Sequence, residues 1–104
     1  MIDTVMSSVA IPYRETRFQR PPTETYAVWT DNVSASGSDA ENMILTHGYT
    51  IELYEYKPDA AAESSIESAL DEAGLRWTKQ PRYWLQIEQL YQVIYEFEFI
   101  EIRR

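Results

Sequence analysis

The sequence predicts an α+β domain: an antiparallel or mixed sheet of four to five strands, with an N-terminal helix and one internal helix packed on one face. Three observations carry this. Apolar and polar residues alternate over 49–54 and again over 91–99, the period of a half-buried strand. A single interior stretch, 60–73, sets Ala62, Ile66, Ala69, Leu70 and Ala73 at helical spacing. The length of 104 residues, with 44% apolar and 25% charged, suits a single domain over 1–104 with one modest core.

The elements follow in order. Ile2, Val5, Met6 and Val9 recur as one face of a short helix that ends before Pro12. So short a helix needs a surface to dock on. Ile11–Phe18 reads as a strand, and Arg20-Pro21-Pro22 as a stiff connection that cannot donate to a ladder. Thr25–Val33 is the next strand. Ser34–Asn42 (SASGSDAEN) reads as a polar loop, either a plain mobile tip or a segment ordered by a partner. Met43–Tyr56 resumes β character. Pro58-Asp59 stops it, Asp59 caps the helix over Ala60–Ala73, and Gly74 ends that helix. Glu63, Glu67 and Asp71 fall opposite its apolar stripe and read as a solvated face. Leu75–Gln80 is a strand and Pro81-Arg82 a turn. Tyr83–Gln89 is either a short strand or one that bends.

Tyr91–Phe99 carries the clearest strand pattern. Tyr95, Phe97 and Phe99 are expected against Ile66 and Leu70, which leaves Glu96 and Glu98 on the open sheet face. Ile100 and Ile102 fall out of step with the alternation, so a bulge is expected near Phe99. Fully extended, residues 83–102 would reach roughly 65 Å, against a radius of gyration near ~13 Å for a domain of this length. The segment must therefore break near Glu88–Leu90, bend, or project beyond its own body. A projecting strand exposes backbone groups that a neighbouring subunit can pair.

Composition narrows the chemistry. With 9 Lys+Arg against 17 Asp+Glu, the net charge of −8 repels nucleic-acid phosphates. No cysteine is present, which removes disulfides and thiolate metal sites. The first ten residues lack the pattern of a secretory signal, and no run approaches a membrane span. His47 is the only histidine and reads as a strand-edge residue; no nucleophile-elbow motif accompanies any serine. With three glycines there is no glycine-rich phosphate loop, and no HExxH occurs. No catalytic residue, metal or cofactor is expected. The aromatics are too many for one inward face: Trp29, Trp77 and Trp84 with Tyr54, Tyr56 and Tyr83. They serve a core, an interface or a carbohydrate-stacking platform.

Three segments carry a family likeness. An early aromatic strand runs into two prolines, Tyr13–Pro22, followed by Tyr26-Ala-Val-Trp29. The strand YTIELYEYKPD (49–59) leads directly into the helix ESSIESALDEAG (63–74). The chain closes on LYQVIYEFEF (90–99). In this order the chain resembles the small tail-terminator and tail-completion proteins, minor structural proteins of long-tailed bacteriophages and prophages. The resemblance implies a homo-oligomeric ring, typically hexameric, that caps the tail tube and joins it to the head. Its implied partners are further copies of itself, the tail tube protein and a head connector or stopper protein. DNA would pass through its lumen without specific binding. The implied location is the virion tail, with assembly in the host cytoplasm. The alternatives are a head–tail connector or stopper subunit, and an aromatic-lined module for a small molecule or carbohydrate. Ser34, Ser36, Ser38, Asp39, Glu41 and Asn42 in the polar loop, with Trp84, Glu96 and Glu98, are the interface residues this reading selects.

Overall fold

The computed structural model describes residues 1–37 and 43–103. In chain order it has α1 (Ile2–Ser7), β1 (Tyr13–Glu15), β2 (Tyr26–Ser36), β3 (Met43–Glu55), α2 (Ala60–Glu72), β4 (Trp77–Lys79), β5 (Tyr83–Leu85) and β6 (Leu90–Arg103). One six-stranded sheet runs β1-β2-β3-β6-β4, with β5 also paired to β6. β1 is parallel to β2, and every other pairing is antiparallel. This is the expected α+β fold. The sheet reaches six strands because Tyr83–Gln89 divides into β5 and a turn over 86–89.

The core lies between the helices and the odd-numbered positions of the central strands. Val5 and Met6 of α1, Ile66 and Leu70 of α2, Ile51 and Leu53 of β3, and Val93 and Tyr95 of β6 are fully buried. Phe97 joins this cluster, and Phe99 packs partly against it. α1 is shorter than its apolar spacing predicts. The Ser7 and Ser8 hydroxyls both donate to the Thr4 carbonyl, a local alternative to helix continuation; Val9 is buried all the same. α2 is capped as expected. Asp59 Oδ1 accepts from the Ala62 N–H at 3.0 Å. At the other end Gly74, with φ of 71°, and Leu75 donate back to the Asp71 and Leu70 carbonyls, which closes a Schellman turn.

β1 covers only three residues of the expected Ile11–Phe18 strand, and a tight turn explains why. Thr16 has φ of 67°, and the Arg17 N–H donates to the Glu15 carbonyl at 2.7 Å around it. Such a turn is costly at a β-branched residue. It leads the chain off the β2 edge just beyond Trp29.

No bulge interrupts β6. Its register with β3 is continuous from Met43 opposite Arg103 to Glu55 opposite Tyr91. Ile100 and Ile102 simply occupy the open face, at 59% and 57% exposure. The apolar parity changes because the helices cover only one half of the sheet. Beyond them Leu45 is the one buried apolar side chain of the described residues, and the rest of both faces is open. The long terminal segment both breaks and projects: β5 folds back on β6, while β6 continues with β2 and β3 into a three-stranded arm. The radius of gyration is 15.2 Å and the extents are 49 × 28 × 23 Å, larger and longer than the ~13 Å expected of a compact chain of this size.

Candidate functional site

The arm consists of the distal halves of β2 and β3 and the end of β6. Both its faces carry exposed apolar side chains: Val33 and Met43 on the side that faces the helices further down, Ile44, Ile100 and Ile102 on the open side. Among the described residues no strand pairs the outer edge of β2 from Asp31 to Ser36, or that of β6 from Glu98 to Arg103. Unpaired edges flanked by apolar side chains are uncommon on isolated proteins and mark contact surfaces.

A histidine ties the root of the arm together. His47 does not sit at an edge. It lies in β3, paired on both sides, with Val33 of β2 and Phe99 of β6 opposite. Its Nδ1 is 2.8 Å from Asp31 Oδ2 and its Nε2 is 2.9 Å from Glu101 Oε1. The ring stacks on Tyr49 at 5.4 Å with planes 6° apart. The hydrogen bonds to Asp31 and Glu101 push the imidazole pKa up, and that from His47, with Arg103, holds the Glu101 carboxyl low. Each imidazole nitrogen is taken by a different carboxylate, so the group is a cross-strand clip. Among the described residues no three His, Asp or Glu side chains are placed to hold one metal ion.

The acidic row of α2 is not a solvated face. Glu63 is buried, and the row faces β4 and the turn that follows it. Lys79 Nζ donates to Glu63 Oε1 and Glu67 Oε2, both at 2.8 Å. Arg82 donates to Glu63 and, at 3.2 Å, to the fully buried Glu55. Tyr95 donates to Glu67 at 2.7 Å, and Trp77 Nε1 to Asp71 at 2.8 Å. The α2 period alone places these carboxylates away from the apolar stripe. It does not show that β4 crosses beside them.

The residues selected from sequence separate into two groups. Ser34 and Ser36 belong to β2 and not to a loop; they pair with Thr46 and Ile44, exposed on the open face of the arm. The β2–β3 ladder outlasts the polar composition because its register partners supply the apolar side chains. Ser38, Asp39, Glu41 and Asn42 lie outside the described residues. Glu96 and Glu98 are exposed on the open face, next to the arm root. Trp84 is at the opposite end of β6, packed on Tyr91 at 4.8 Å, so the structure does not bring it to the others. The aromatics are dispersed: Trp29 and Trp77 lean on the core, and Tyr83 and Trp84 are exposed on β5. The apolar arm positions were legible only as the parity change at Ile100 and Ile102.

No family model and no curated protein sequence matches the chain. Among solved structures, a chain in the virion of a native gene transfer agent particle has the same fold, with a TM-score of 0.62 and 14% identity. The match covers 90% of this chain and 81% of that one.

Proposed function

We propose that this chain is a structural subunit of a phage-like virion, and within it a tail-completion (tail-terminator) protein that forms a ring, capping the tail tube and joining it to the head. The observation that carries the reading is the shared fold with a virion chain over 90% of this sequence. The projecting arm supports it, because an arm with free edges and apolar faces suits a subunit that works by contact. The open face carries Glu52, Glu96 and Glu98 among Thr30, Thr50 and Thr78. Turned toward a lumen, Glu52 and the net charge of −8 repel passing DNA. The role needs no catalytic group, metal or cofactor, and its location is the virion.

The test is deletion of the gene in the particle-producing strain, with electron microscopy of the products. Tail completion predicts separate heads and tails, with tails of irregular length, and antibody label at the head–tail joint of wild-type particles. Heads that lose DNA beside tails of normal length would instead identify a connector or stopper. Normal particles without the label would overturn the virion reading.

A further inference from the structure

The two margins of the sheet carry opposite charge. On the β1 side Arg14, Arg17 and Arg20 are exposed, against the exposed carboxylates of Glu15 and, beside Pro12, Glu24. Arg14 stands over the Phe18 ring at 5.2 Å and donates to the Tyr13 carbonyl, so its guanidinium is already placed. No carboxylate lies within ion-pair distance of these arginines among the described residues. On the β4 side Glu96, Glu98 and Asp71 are exposed, Glu96 accepting from Gln80 and Asp71 from Trp77, and among the described residues Arg76 is the one cation there not held by α2. A shallow groove of about 580 Å³ crosses the open face from Asn32 of β2 over Gly48 of β3 to Glu96 and Glu98, and it reaches this margin at Trp77 and Thr78.

The margins also match in height and strand sense. One row across the sheet runs Glu15, Trp29, Ile51, Tyr95, Lys79, so β1 and β4 flank the body at the same level. β1 is parallel to β2, β2 is parallel to β6 through β3, and β4 is antiparallel to β6. A second copy set beside the first in the same orientation therefore meets it edge to edge with β1 and β4 antiparallel, the more favourable pairing. The turn at Thr16 ends β1 at this level, and Phe18 packs back on Tyr26.

We propose that copies of this chain join head to tail, the arginine margin of one against the carboxylate margin of the next. This rests on the ring reading above and names the surfaces that close the ring. The interface is heterologous, so repetition about an axis along the strands generates a cycle. It leaves the arms free at one end for other virion parts.

Charge reversal tests it. Arg14→Glu/Arg17→Glu makes both margins acidic, and Glu96→Arg/Glu98→Arg makes both basic. Self-association is read by light scattering and chemical cross-linking at millimolar protein and low salt. Wild type should associate, and less so as salt rises. Each variant alone should lose association by about ten-fold or more, with unchanged circular dichroism. Mixing the two should restore it, with alternating order and even-numbered cycles only. A variant that unfolds is replaced by the single reversal Arg14→Glu or Glu98→Arg. A wild type that stays monomeric, association indifferent to both reversals, or a mixture that fails to recover would each overturn the proposal. The virion reading is scored separately, by antibody label on particles. Label present with reversals silent removes the margin interface alone. Recovery on mixing with label absent removes the virion role and leaves the interface.

Discussion

An imidazole that donates to a carboxylate from each nitrogen must carry both protons. His47 is held in this way between Asp31 and Glu101. Tyr49 is stacked on it, Arg103 reaches the other Glu101 oxygen at 3.2 Å, and Asp3 of α1 acts on Tyr49. Its folded pKa lies above the unfolded value, so the clip stabilises fully below the unfolded pKa near ~6.5 and is lost as pH rises through the folded one. The difference in Tm between wild type and His47→Gln should therefore be largest near pH 6 and shrink by pH 9. A ring titrating at or below the unfolded value by NMR would contradict this. The Glu55–Glu63 pair behaves differently. Burial, then the hydrogen bond with Glu63, pushes Glu55 up to about 7, so the shared proton sits there. Burial works against charge on Glu63, but hydrogen bonds from Glu55, Lys79 and Arg82 outweigh it and hold the carboxyl at about 2. Glu63 thus contributes stability above its ordinary 4.5 that is lost as pH falls toward 2, while Glu55 costs stability as pH climbs from 4.5 to 7. Glu63→Gln should lose about 1–3 kcal/mol at neutral pH, because Lys79 and Arg82 then face an amide. Glu55→Gln should lose less, and its stability should stay level where wild type declines. Urea unfolding at pH 5 and pH 8 checks both, and a larger loss for Glu55→Gln would refute the proton assignment.

At the scale of elements, packing decides which segments hold. α1 has six residues and no side-chain cap at its start, so its helicity depends on its docked face. Met6 is fully buried there. Met6→Ala should cost about 2–5 kcal/mol in denaturant unfolding; a loss well under 1 kcal/mol would show that α1 frays from the body. Thr16 makes the opposite case. Its positive φ is strain at a β-branched residue, and Thr16→Gly should stabilise by about 1 kcal/mol. If stability falls, the threonine side chain is holding the turn. These contrasts show how far the sequence could be read. The apolar faces of α1 and α2, the Asp59 cap and the alternation in β3 and β6 all depend on local spacing, and the structure has them where the spacing puts them. The short β1, the strand character of Ser34 and Ser36, and the centre-strand place of His47 depend on which strand lies alongside. Residues far apart in sequence decide that. The same holds for the charged margins: Arg14 and Glu96 gain meaning only once β1 and β4 are known to flank the sheet.

At the scale of the whole molecule, the arm is a sheet outside the main core, with Leu45 its one buried apolar side chain among the described residues. Among the described residues its outer edges, Asp31–Ser36 and Glu98–Arg103, have no strand partner, while β3 between them is bonded on both sides. Opening free energy follows burial and pairing, so the three strands should exchange amide hydrogens differently. In the free protein, alternate amides along the outer edges of β2 and β6 should exchange fast, those of β3 slowly, and those of Val93 and Tyr95 in the body slowest. Assembly changes this in a way that depends on where contact falls. Margin-to-margin joining protects the Tyr13 and Glu15 amides, which point away from β2, and the outer edge of β4, and leaves the arm fast. Engagement of the arm by a tube or connector protein slows Ile100 and Ile102 in addition. Exchange measured on monomer, on self-associated protein and on particles therefore separates the two surfaces. Protection of the arm on self-association alone would mean that copies join through Ile44, Ile100 and Ile102, and that the charged margins serve another partner.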